Sequence, residues 1–135
     1  MIPKPYIELL KGTHIEPLTL IFPKKVLNSS GLIWKEGDTI FVCLTCFKSS
    51  KIALASLVND IKSICCQSNK IIKFKILSLE RKRLNEIDEK KSADFLKQFG
   101  EYRVMLNHNY AIGRLVEIFG ELKDDEEIMI IVGIV

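Results

Sequence analysis

The clearest hydrophobic run is residues 39–47, Thr-Ile-Phe-Val-Cys-Leu-Thr-Cys-Phe, which is apolar on both faces of a two-residue repeat and predicts a strand covered on both sides or nearly so. Downstream, Leu54, Leu57, Val58, Ile61, Ile64 and Cys65 recur with the spacing of one helical face behind Ser49 or Ser50 as a capping oxygen, predicting a helix over 51–66. The pattern then switches period. Ile72, Phe74 and Ile76 alternate with Lys73 and Lys75, the signature of a strand over 71–79 with one basic face. From the charged stretch 81–91, Leu84 and Ile87 lead into Ala93, Phe95, Leu96 and Phe99 at helical spacing, predicting a helix that Gly100 ends. A short strand follows at 102–106. Asn107 or Asn109 caps a last helix, whose stripe is Ile112, Leu115, Val116 and Phe119 and whose stop is Gly120. An acidic turn at 123–127 precedes an apolar strand at 128–135.

The first 38 residues are less periodic because Pro3, Pro5, Pro17 and Pro23 cut them into short pieces. Residues 18–22 suit a strand at a sheet edge, where proline is tolerated at strand ends. Residues 28–31 and 35–38 read as turns, with a short strand at 32–34 leading by a hairpin into 39–47. The element order β-β-β-α-β-α-β-α-β predicts an α/β (α+β) domain: a single mixed sheet with helices packed mainly on one face, spanning 1–135 as one unit. With 47% apolar and 27% charged residues, 7 Gly and 4 Pro, the chain is far from disordered or linker composition. Its strictly apolar runs, such as 128–132, are too short to span a bilayer, and residues 1–10 lack a basic start followed by an apolar core. A cytoplasmic protein with no membrane partner is expected.

Net charge is +3, but it is unevenly spread: basic residues dominate 1–83 and acidic ones 84–135. The excess is densest between 48 and 83, where nine Lys or Arg face only Asp60 and Glu80. Lys70, Lys73, Lys75, Arg81, Lys82 and Arg83 are therefore the expected RNA-binding residues, on one polyanion-facing edge.

Candidate chemistry is sparse, and no catalytic residue is expected. There is no glycine-rich phosphate loop, nucleophile elbow or His-Glu-x-x-His. His108 stands where a strand meets a helix, a position read as a solvated turn, and Asp124, Asp125, Glu126 and Glu127 read as a solvated acidic turn. Four cysteines form two sequence pairs, Cys43 with Cys46 and Cys65 with Cys66. In an extended 39–47 strand, residues three apart point to opposite faces, and two adjacent cysteines cannot both point inward from a helix. No metal or other cofactor is expected on that geometry.

The stretch Leu106-Asn-His-Asn-Tyr-Ala-Ile-Gly-Arg-Leu-Val-Glu-Ile-Phe-Gly120, followed by Asp124-Asp125 and an apolar strand, resembles the small kinase-binding subunit of the KEOPS complex. Asn107 and Asn109 match that family's Asn-rich turn, and Ile112, Val116, Phe119 and Gly120 match its short helix. Upstream, Phe47-Lys48 at a strand end, then a helix and a further strand, follow the family's order. The resemblance implies a non-catalytic accessory subunit that binds an atypical kinase subunit and tRNA, supporting threonylcarbamoyl modification of an adenosine. Ile112, Leu115, Val116 and Phe119 are the expected partner-binding residues. The alternative is a stand-alone small nucleic-acid-binding protein using the same basic edge.

Overall fold

The computed structural model describes residues 2–12, 16–27, 34–47, 49–51, 70–100 and 107–135. Helix α1 (Lys4–Lys11) starts behind Pro3, with Pro5 in its first turn, where a missing amide hydrogen costs nothing. Strand β1 (Leu18–Pro23) runs into a 3₁₀ turn at Lys24–Val26. Strands β2 (Thr39–Cys43) and β3 (Ser49–Lys51) form a hairpin, and β4 (Ile71–Arg83) is the longest strand. A second 3₁₀ turn, Leu84–Glu86, leads to α2 (Glu89–Lys97); α3 (His108–Phe119) and β5 (Glu127–Ile134) follow.

The class is α+β, as expected, but the sheet is antiparallel rather than mixed among the described strands. Its order is β1-β5-β4-β2-β3, and every pairing is antiparallel. The expectation of a mixed sheet treated each helix as a crossover between strands. Instead α2 and α3 together form one excursion, after which β5 returns alongside β4 with Arg83 opposite Glu127 and Lys75 opposite Ile134.

Three boundaries also move. The 39–47 run stops being a strand at Cys43: Leu44, Thr45 and Cys46 form a turn, and Phe47 adopts a left-handed backbone (φ 67°) that reverses the chain. The two serines expected to cap a helix thus lie in β3, paired with Phe41 and Val42. Residues 52–66 of the expected helix lie outside the described residues, as do Cys65, Cys66, the 102–106 strand and residues 32 and 33; Trp34 lies outside any strand. The helix expected after 81 begins later, because tertiary pairing with β5 holds 81–83 in the sheet against local preference. Asp88 then caps α2, its carboxylate accepting from Lys91 N at 2.7 Å.

The core centres on Tyr6. Its ring meets Phe22 of β1 edge-on at 5.2 Å, Phe95 of α2 at 6.3 Å and Phe119 of α3 at 5.9 Å, which gathers three helices against the β1 side of the sheet. Such aromatic pairs add about 0.5–1.5 kcal/mol each beyond the burial of their area. Strand β1 is buried at all six positions although it is an edge strand.

Candidate nucleic-acid interface

The alternation of β4 breaks at a bulge. Ile76 lies opposite Gly133 and Ser78 opposite Val132, so Leu77 is an extra residue on β4, and it is exposed. Directly opposed residues share a face, so beyond the bulge the face of Phe74 and Ile76 is continued by half-buried Leu79 and exposed Arg81. The six residues expected on one basic edge are therefore divided. Lys73, Lys75 and Lys82 share one face of the sheet, while Arg81 and Arg83 share the other. Lys70 is exposed just before β4, and its carbonyl accepts from Leu44 N at 2.9 Å. Ten residues of strand separate Lys73 from Arg83, a span of about 33 Å.

The first group sits beside an aromatic ring: Lys73 Nζ lies 5.7 Å from the Phe41 centroid. The second group lines a cavity of about 470 Å³, where the end of the β4–β5 ladder meets the turn after β1. Arg81 and Arg83 line it from β4 and Lys24 from the 3₁₀ turn, joined at the strand end by Lys82 from the other face; Leu27 and the buried Ile128 and Met129 complete the lining. The register explains this assembly. Pro23 pairs with Ile128 and Arg83 with Glu127, so β5 brings Lys24 and Arg83 to the same end of the sheet.

The two acids at this cavity are both engaged. Glu127 Oε2 lies 2.9 Å from Lys24 Nζ; that hydrogen bond and charge, reinforced by Arg83, hold its carboxyl below the usual carboxylate range. Glu86 Oε1 accepts from Arg83 N at 2.9 Å, closing the 3₁₀ turn. Arg81 donates to the carbonyl of Trp34 at 3.0 Å, and Lys82 pairs with Glu80 at 3.1 Å. Four cationic groups against two carboxylates leave the cavity net basic, with planar guanidinium forks suited to phosphate. Lys24 was missed in the sequence because its partner is more than a hundred residues away, and only the β1–β5 register joins them.

The expected partner stripe divides as well. Leu115 is fully buried and Phe119 is half-buried against Tyr6 and Phe22, so both serve the core. Ile112 is half-buried, and Val116, at 38% exposure, joins Tyr110, at 50%, as the exposed large apolar residues of α3. His108 places Nδ1 3.0 Å from the carbonyl of Ile87, a tie between α3 and the chain before α2. In the acidic turn, Glu126 pairs with Lys25 at 3.3 Å, and the carbonyls of Asp124 and Glu126 accept from Asn85 N and Leu84 N. These groups close the β4–β5 end of the sheet. Among the described residues no helix is long and apolar enough to cross a membrane.

No protein-family model matches this sequence, and neither a curated protein nor a solved structure does so.

Proposed function

We propose that this chain is a non-catalytic accessory protein of the cytoplasm that binds RNA through the basic groups of β4 and works with a protein partner. The observation that carries the reading is the convergence of Lys24, Arg81 and Arg83 on one cavity. Guanidinium and ammonium groups there suit phosphate oxygens, and half-buried Leu27 beside them offers apolar surface to a sugar. Lys73 and Lys75, on the opposite face, would add contacts to the same polyanion where it passes the sheet. The non-catalytic part is supported by His108, whose ring nitrogen is tied to a backbone carbonyl, and by the lysine partners of Glu126 and Glu127. A role in tRNA threonylcarbamoyl modification beside an atypical kinase subunit is the specific form that the family resemblance suggests.

One observation favours the second reading, a nucleic-acid-binding protein acting alone. Leu115 and Phe119 are used inside the fold, which leaves Tyr110 and Val116 as the apolar residues α3 offers a partner. Fluorescence anisotropy with tRNA across a salt series tests the RNA reading common to both. Affinity should fall steeply with salt, and Lys24→Glu/Arg83→Glu should weaken binding and flatten the slope. Unchanged binding in that variant, or none at low salt, would refute it. Co-purification of a partner that is lost in Tyr110→Asp/Val116→Asp separates the accessory reading from the solitary one.

A further inference from the structure

Glu127, at the start of the middle strand β5, stands between a cation from each neighbouring strand. Its Oε2 lies 2.9 Å from Lys24 Nζ, which follows β1. The antiparallel register sets Arg83 of β4 directly opposite it, and opposed residues hold their Cβ atoms about 4.5–5.5 Å apart. Both cations favour its charged form, so it stays ionised at neutral pH. The carboxylate therefore occupies the place at which an arriving anion would meet Lys24 and Arg83 together. All three side chains are exposed, so the contact contributes little to the fold and its members can change partners.

A resident carboxylate sorts anions by their charge. An internal RNA phosphodiester is a monoanion, so placing it on Lys24 exchanges one single charge for another and leaves the displaced carboxylate nearby to repel it. A terminal phosphomonoester carries about −1.5 to −2 charges at pH 7 and three acceptor oxygens. It can engage Lys24 and Arg83 at once, and its added charge offsets the repulsion. Arg83 N donates to Glu86 Oε1 at 2.9 Å, which fixes the strand end from which the guanidinium projects. At about 470 Å³ the cavity falls in the range of sites that enclose a small molecule, about 300–1,000 Å³, which suits a strand end or a single nucleotide.

We propose that this cavity takes a terminal phosphomonoester, as at a phosphorylated end of an RNA, and that Glu127 sets the preference by holding Lys24 and Arg83 against internal phosphodiesters. The proposal rests on the RNA-binding reading and names the part of the RNA that the cavity takes. Lys24 and Arg83 bind the dianion; Glu127 determines specificity without binding it.

The test compares two oligoribonucleotides of one sequence with an internal fluorophore, one phosphorylated at both ends and one at neither, by anisotropy at low salt. The parent should bind the phosphorylated one about tenfold more tightly, the scale of one added hydrogen bond to a charged group. Glu127→Gln should bind both more tightly and reduce the preference to about threefold or less, and Lys24→Glu should abolish it. Lys73→Glu, on the other face, should keep the preference, which separates the cavity from the general attraction of the basic strand. Equal affinity of the parent for the two oligonucleotides overturns the proposal and leaves the RNA reading standing, as does a preference that Glu127→Gln retains in full. Calorimetry with 3′-AMP and 5′-AMP separates the sources of the phosphate. Binding of either nucleotide but of neither oligonucleotide supports the phosphomonoester site, refutes the RNA reading and makes a free nucleotide the ligand. No binding of any of the four overturns both.

Discussion

The side-chain amide of Gln98 pairs with the backbone of Thr19 as a neighbouring strand would. Thr19 N donates to Gln98 Oε1 at 2.9 Å, and Gln98 Nε2 donates back to Thr19 O. Two residues along, Ile21 O accepts from the hydroxyl of Tyr6, and after two more comes Pro23, which has no amide hydrogen to satisfy. The outer edge of β1 is thereby closed by one amide, one phenol and one proline, and this is how an edge strand comes to be buried throughout. Replacing Gln98 with Leu should destabilise the protein by about 1–3 kcal/mol, since both Thr19 groups lose their partner. Urea denaturation checks this, and light scattering should register faster aggregation from the uncovered edge.

Burial pushes the Tyr6 phenol far above its ordinary range, outweighing the hydrogen bond to Ile21 O and the charge of Arg114. The sign follows from linkage. Above about pH 10 the unfolded chain loses this proton while the folded chain keeps it, so stability falls with rising pH, by about 1.4 kcal/mol per unit for one group. Below that range the group contributes no pH dependence. Tyr6→Phe should be less stable near neutrality by about 1–2 kcal/mol and should lose part of the alkaline slope, as measured by melts between neutrality and pH 11.

Gly133 leaves no room for a side chain inside the sheet. A Cβ at this position would lie 2.5 Å from Lys75 O and 2.5 Å from Phe74 Cζ. Gly133→Ala should cost about 1–3 kcal/mol through overpacking. Adding Phe74→Leu should recover only part of the loss, because the Lys75 carbonyl is backbone and cannot be trimmed. Thermal melting of the single and double variants distinguishes the two contributions.

The division of the basic residues by the Leu77 bulge has a separable consequence for RNA binding. Lys73→Glu/Lys75→Glu and Lys24→Glu/Arg83→Glu alter opposite faces of the sheet. If one polyanion touches both, each double variant should lower the salt slope by about 1–2, roughly 0.7–0.9 for each phosphate that is no longer neutralised. An effect confined to the Lys24/Arg83 variant would locate binding at the cavity alone. Anisotropy titrations at several salt concentrations make the measurement.

Local periodicity made several elements legible before any fold was known. The alternation of Ile72, Phe74 and Ile76, the stripe at 112–119 with Asn107 before it and Gly120 after it, and the apolar run from Ile128 each produce an element at that place. The α+β class follows from their order. Side-chain period is a property of adjacent residues, so it reports which local conformation buries apolar groups. It carries no information about which strand pairs with which. Pairing decided that β4 continues to Arg83, that a bulge at Leu77 sends the lysines and arginines to different faces, and that Lys24 meets Glu127 across the β1–β5 register. It also decided the use of Leu115 and Phe119, since an apolar helical stripe looks the same whether it meets its own sheet or another protein. From Leu44 to Cys46 the run of β-prone residues spelled a strand; the left-handed Phe47 and the two tethers from Ile2 and Lys70 made it a turn, because long-range hydrogen bonds outweigh a local preference of a few tenths of a kcal/mol per residue.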